Sequence, residues 1–196
     1  MTSNPTRVMI AQLAAQLVCE HGIRDFSLAK RKAARQLSIV DAHHLPSNGE
    51  IETAVRDYQM LFHGDSYPQF LRQLRGSALA TMQMLAQFDP YLTGPVLTGS
   101  ISRYADVHIE LFTDSEKDVE MYLLNHTIQF RQSQRPGESG HRAMPCFILE
   151  GEDCDTRITV QSPDSGRNAA RSGQGEPLRR ASLAQLIALL KQSDGE

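Results

Sequence analysis

The stretch where the sequence pattern changes lies at residues 94–114 and reads GPVLTGSISRYADVHIELFTD. Its second half alternates strictly, because Val107, Ile109 and Leu111 are apolar and the residues between them are polar. Successive side chains of a strand point to opposite faces, so this alternation predicts a β-strand with one face turned to a core. The Gly-Pro pair at its start ends any helix that arrives from the N-terminal side.

Before this stretch, apolar residues recur at helical spacing in four segments. The first begins near Pro5, the second opens at Asp25 or Ser27, and the fourth runs up to Asp89-Pro90. The third follows Ser47 or Asn48, with Glu50 placed where a capping-box acid would lie. Short helices are unstable alone in water, so these four are expected to pack together. We therefore predict a helical domain over residues 1–92.

After this stretch, the pattern mixes strands and helices. The predicted elements are a helix capped by Asp114 or Ser115, a strand at 128–130, a hairpin of 146–149 with 157–160, and a closing helix from Ser182. Residues 162–177 are rich in Ser, Gly and Arg and are predicted to be a flexible linker. The predicted fold class is thus α+β, an N-terminal helical bundle followed by a small mixed β-sheet domain with flanking helices over residues 93–196.

Bulk composition excludes several classes of protein. The 196 residues carry a formal net charge of -3, so no global field attracts the chain to nucleic acid or to an acidic membrane. No stretch approaches the roughly 18 apolar residues of a membrane span. The three cysteines form an odd set without the spacing of a zinc or redox motif. A cytoplasmic protein without membrane contact is the expectation.

The segment 94–114 resembles the polymerase-β-like nucleotidyltransferase superfamily, in which a Gly-Ser turn follows a first strand and a second strand carries alternating acids. The wider layout, with AKRKAARQL, LPSNGEIE, YLTGPVLTGS and DSEKDVEMYLLN, resembles a group of bacterial nucleotidyltransferase-like proteins. The resemblance implies a mixed sheet packed on helices. It also implies transfer of a nucleotide from a nucleoside triphosphate with the help of Mg²⁺.

Carried onto this sequence, the resemblance gives a candidate site. Gly99 and Ser100 would bind the nucleotide, since a glycine turn lets backbone approach phosphate and the hydroxyl can donate to it. Asp106, His108 and Glu110 would form the catalytic strand, with Glu110 and Asp106 as metal ligands. Acids at positions i and i+2 share one strand face and can hold two Mg²⁺ ions about 3.5–4 Å apart.

The acid spacing departs from that pattern. Aligning the apolar positions puts His108 where the first metal-binding acid is expected and Glu110 where the second is expected. If Asp106 is used instead, the two acids are four residues apart, about 13 Å along a strand. A third acid is expected on a later strand, where only Glu150 or Asp155 could substitute.

Two functions follow from this mixture of match and departure. The first is an enzyme that transfers a nucleotide from a nucleoside triphosphate to an unknown acceptor. The alternative is a catalytically inactive module with the same fold that binds nucleotide, RNA or a protein partner. Lys30, Arg31, Lys32 and Arg35 form a basic stripe that we interpret first as the solvated face of a helix; the alternative is a surface that contacts phosphates of RNA or a nucleotide.

Overall fold

The computed structural model describes residues 4–39, 42–64, 66–135, 144–151, 154–163 and 180–192. The α-helices of these residues are α1 (Pro5–His21), α2 (Phe26–Gln36), α3 (Asn48–His63), α4 (Ser66–Met84), α5 (Gly94–Thr98), α6 (Glu116–Asn125) and α7 (Leu183–Gln192). The strands are β1 (Pro90–Thr93), β2 (Val107–Phe112), β3 (Arg131–Arg135), β4 (Met144–Leu149), β5 (Thr156–Gln161) and β6 (Ala181–Ser182). The expected α+β class is confirmed.

The chain divides into two compact units, which we describe separately. The helical unit comprises residues 1–71 and 98–105, and the sheet unit comprises residues 72–97 and 106–196. The predicted boundary between residues 92 and 93 differs from this division. The reason is that the second half of α4 is held within the sheet unit, where the Tyr122 hydroxyl donates to the Met84 carbonyl (2.7 Å) and Arg75 donates to the carbonyls of Val96 and Leu97 (both 3.2 Å).

The helical unit is built around α1, and local capping starts its helices. The Asn4 side chain accepts from the Thr6 amide, and Gly22 ends α1 in the left-handed conformation with φ 66°. Ser47 and Glu50 form the predicted capping box at the start of α3. The core between α1, α2 and α3 is rich in alanine, which lets the helices approach closely; its fully buried members include Ile10, Ala14, Ala15, Ala29, Ala33, Ile51 and Val55.

The sheet unit holds a mixed six-stranded sheet in the order β3-β4-β5-β2-β1-β6. β2 and β5 are parallel, and the other neighbouring pairs are antiparallel. One row of side chains crosses four strands in register, from Leu92 through Ile109 and Ile158 to Phe147, and each is at most 1% exposed. This face is the apolar core of the unit, as the alternation in β2 predicted.

Some predicted elements are confirmed and others are wrong. The hairpin of β4 with β5 and the closing helix α7 are confirmed. The strand predicted at 128–130 is wrong, because Ile128 instead donates to the Leu123 carbonyl and completes the end of α6, and the strand begins at Arg131. The fourth helix also ends earlier than predicted, at Met84, and Val96 and Leu97 lie in the short helix α5.

Two further expectations concern the linker and the absence of a membrane span. The predicted linker at 162–177 lies outside the described residues from position 164 onward. Within the described ranges, no helix combines the length and the apolar character that a membrane crossing requires.

Candidate functional site

The polar face of the sheet carries the predicted catalytic residues. Asp106 directly precedes β2, and His108 and Glu110 lie within it at alternate positions, so all three belong to the face opposite the apolar core. Despite this, Asp106 and Glu110 are only 5% and 3% exposed. A buried carboxylate needs a partner, since isolated charges are very costly to desolvate.

Each buried acid is paired with an arginine. Glu110 accepts from Arg180 Nε at 2.7 Å, and the two side chains are 4% and 13% exposed. The Arg180 guanidinium also lies 4.9 Å from the ring centroid of Phe112, two residues along the same strand face. Its Nη2 atom is enclosed and has no hydrogen-bond partner among the described residues. Glu110 is therefore charge-balanced within the sheet unit.

Asp106 has a different partner. It accepts from Arg157 Nε at 2.6 Å, and Arg157 is 34% exposed, more open to solvent than Arg180. Arg157 lies on β5 directly opposite His108 in the parallel pair. The two acids are thus bound by guanidinium groups from opposite sides of β2. In the described ranges, no group of three or more His, Cys, Asp and Glu side chains is arranged to hold a metal ion.

His108 lies between these two pairs on the strand. It is half-buried and is opposite Thr93 in β1 as well as Arg157 in β5. Gly94 passes close by, since a Cβ atom added there would lie 3.5 Å from the Cβ of His108. This strand face therefore presents two acid–arginine pairs flanking the His108 side chain.

Gly99 and Ser100, the predicted nucleotide-binding residues, lie in the helical unit. Gly99 has φ 79°, the left-handed conformation that favours glycine, and its carbonyl accepts from the Tyr67 hydroxyl. Ser100 is 2% exposed, and its hydroxyl lies 2.7 Å from that of Thr98. The Ser100 hydroxyl is therefore buried against Thr98 at this turn and largely closed to solvent.

Side chains from α3 and α4 hold the whole segment around this turn by its carbonyl groups. Arg56 donates to Thr98 O at 3.0 Å, and Gln59 donates to Ile101 O at 3.0 Å. Together with the Tyr67 contact, three carbonyls of residues 98–101 are satisfied by the helices. Hydrogen bonds from these side chains to backbone carbonyls hold the loop in place. The Gly-Ser pattern alone does not predict these hydrogen bonds.

The sequence alone does not identify the arginines that bind the two acids. Arg157 and Arg180 could not be matched to their acids, because the partners are 51 and 70 residues apart in the chain. The only local signal is that Arg157 follows the polar alternation of β5. Lys30 is a different case, because this member of the predicted basic stripe is buried. It is 5% exposed, and its ammonium contacts Pro46 O at 3.3 Å. Burial lowers its pKa.

No protein-family model and no curated protein matches this chain.

Proposed function

We propose that this chain is a nucleotidyltransferase-like module that acts by binding and not by catalysis. The observation that carries the proposal is the pairing of Glu110 with Arg180 and of Asp106 with Arg157. A carboxylate that binds Mg²⁺ must offer its oxygens to the ion. Here each acid is buried against a guanidinium, and moving it to a metal would leave an arginine without its counter-charge.

We favour another protein as the binding partner of this module. Met60, Leu61 and Phe62 are consecutive at the end of α3, and they are 57%, 77% and 61% exposed. Three large apolar side chains exposed within one helical turn leave apolar surface for a protein partner to cover. RNA is less favoured because Lys30, a member of the basic stripe, is buried and bound within the helical unit.

Nucleotidyl transfer is the second candidate function. It is supported by the placement of Asp106, His108 and Glu110 on one strand face, the kind of face on which the resemblance to polymerase-β-like nucleotidyltransferases expects metal-binding acids. In that case Glu110 and Asp106 would leave their arginines to bind Mg²⁺.

One assay separates the two candidates. The purified chain is incubated with Mg²⁺ and each nucleoside triphosphate labelled at the α-phosphate, and transfer to protein or to added RNA is measured. The binding module predicts no transfer. Transfer that Glu110→Gln abolishes and that Glu116→Gln preserves would establish the enzyme, since Glu116 is an exposed acid at the start of α6.

The protein-partner proposal has its own test. The tagged chain is recovered from its source cells, and co-purifying proteins are quantified for the wild type, for Leu61→Asp and for Leu28→Asp. Leu28 is the matched control, because it is an exposed apolar residue (49%) on α2. We expect one stoichiometric partner that Leu61→Asp loses and Leu28→Asp retains. Equal recovery with all three proteins would contradict this surface.

A further inference from the structure

A cleft of about 620 Å³ opens in the helical unit, within the size range of small-molecule sites. Its walls include four aromatic side chains from α3 and α4: Tyr58, Phe62, Tyr67 and Phe70. The base is buried, since Tyr67 is 8% exposed and Ile101 is fully buried, whereas Phe62 at the rim is exposed. Tyr58 and Phe62 have ring centroids 4.4 Å apart and form one continuous aromatic wall.

Gln59 supplies a fixed polar group to this cleft. It is 6% exposed, and its amide nitrogen donates to Ile101 O at 3.0 Å and to Cys19 Sγ at 3.3 Å. A backbone carbonyl can only accept, so the contact with Ile101 determines which end of the amide is nitrogen. The oxygen, Oε1, must therefore lie on the other side of the amide group.

This Gln59 oxygen has no hydrogen-bond donor in the part of the chain that the structure describes. It is also not sealed off, because the one enclosed and unbonded side-chain polar atom of the described residues is Arg180 Nη2, in the sheet unit. A rigidly held acceptor without a protein donor, on a side chain that lines an aromatic cleft, is a group left for a ligand.

The other polar side chains of the cleft include a carboxylate, a thiol and a guanidinium. Glu20 accepts from the Tyr58 hydroxyl and from Gln16 Nε2 (3.0 Å), and these bonds lower its pKa, so it remains an anion. Burial raises the pKa of the Cys19 thiol to about 11, so at neutral pH it is not a nucleophile. Arg103 also lines the cleft, with its guanidinium 4.9 Å from the Tyr104 ring centroid. The remaining lining residues are His63, Ser66 and Ser102.

We propose that this cleft binds a planar aromatic small molecule with an N–H donor at its edge. The ring lies against the aromatic walls, and the N–H donates to Gln59 Oε1. Binding is non-covalent, in accord with the protonated thiol of Cys19. The proposal rests on the helical unit alone and does not depend on whether the acid strand is catalytic.

The test uses two molecules of nearly the same shape, indole and benzothiophene, of which only indole carries an N–H. Each is titrated into the ¹⁵N-labelled full chain, and dissociation constants are taken from shifts of the amide signals, including the Gln59 side chain. We expect indole to bind about three- to tenfold more tightly, the usual effect of one hydrogen bond. Equal affinity for the two molecules in the wild-type protein would overturn the proposal without recourse to any variant.

Variants locate the interaction. Gln59→Met removes the acceptor and should make the two affinities equal. Phe62→Ala should weaken both molecules, while Leu28→Ala should weaken neither, because Leu28 is an exposed apolar residue on α2 and does not line the cleft. A preference for indole that persists in Gln59→Met, or affinities that Phe62→Ala leaves unchanged, would place binding elsewhere.

Discussion

The acid strand of the sheet unit and the cleft of the helical unit differ in whether their polar side-chain atoms have partners within the protein. On β2, Glu110 and Asp106 are both bound by arginine side chains of the same unit. In the cleft, the amide nitrogen of Gln59 is bound by the protein, while its oxygen has no donor among the described residues. The comparison teaches that the recognisable motif need not be the group that is open to a ligand.

The largest expected effect comes from breaking the pair of Glu110 and Arg180. Glu110→Ala leaves a largely buried guanidinium without its counter-charge, so we expect a loss of about 3–5 kcal/mol in the free energy of unfolding. Urea denaturation followed by circular dichroism measures it. The double variant Glu110→Leu with Arg180→Met should regain most of that loss, because two apolar side chains need no pairing.

Equal destabilisation of the single and double variants would contradict this account. In that case the cost would come from altered packing at this position and not from the unpaired charge. The ion pair of Glu110 and Arg180 would then be no evidence that Glu110 has a structural role.

The loop that contains Gly99 should show a smaller effect. Gly99→Ala introduces a Cβ at φ 79°, with the Tyr67 hydroxyl only 3.3 Å away, and should cost about 1–3 kcal/mol of unfolding free energy. Gly76 is the matched control, since it lies inside α4 with nothing within 4 Å of an added Cβ. Gly76→Ala should stabilise the protein by about 0.5–1 kcal/mol in the same urea titration. Two substitutions with the same sign would mean that the turn is not conformationally constrained.

The pair of Asp106 and Arg157 should matter less than the pair at Glu110. Arg157 is 34% exposed, so water can solvate its guanidinium when the partner is neutralised. We expect Asp106→Asn to cost about 1 kcal/mol, measured by the shift of the urea midpoint. A loss as large as that of Glu110→Ala would show that both ends of the strand are equally closed to solvent.

The smallest effect concerns Tyr58 at the cleft. Its hydrogen bond to the Glu20 carboxylate raises the pKa of Tyr58 to about 12. The folded state therefore keeps the phenolic proton at a pH where the unfolded chain, with a pKa near 10, loses it. The contribution to stability is complete below pH 10 and is lost as the pH rises through about 12.

This shift is measured by ¹³C NMR of labelled tyrosine during a base titration of the wild type and of Glu20→Gln. In Glu20→Gln, the pKa of Tyr58 should fall towards 10. An unchanged titration would mean that Glu20 is not its hydrogen-bond acceptor in solution. The affinity of the cleft for indole can be followed in parallel, since Tyr58 forms part of its wall.

Local signals in the sequence predicted much of the fold. The capping box of Ser47 and Glu50, the alternation in β2 and the hairpin of β4 with β5 each depend on residues that are close in the chain. The strand was predicted at 128–130 because RQSQR has no apolar alternation, while Ile128 instead donates to the Leu123 carbonyl at the end of α6. Periodicity predicts an element only where the element has one apolar face.

The candidate sites depend on pairings that no local pattern contains. Glu110 and Arg180 are 70 residues apart, and Gln59 and Ile101 are 42 apart. The pattern of acids on β2 correctly predicted which side chains share a strand face, but it carries no information about the arginines that bind them. Likewise, Gln59 lies at an ordinary helical position, and its amide is held by two distant groups, the Ile101 carbonyl and the Cys19 sulfur.

The most direct test of the central claim follows the arginine side chains themselves. The Nε–Hε signals of Arg157 and Arg180 are observed by NMR while Mg²⁺ and then ATP are added to the full chain. If the acids are committed to structure, both signals remain in place throughout the titration. A saturable shift of the Arg180 signal that requires Mg²⁺ and ATP together would show Glu110 released to a metal, and would contradict the non-catalytic account.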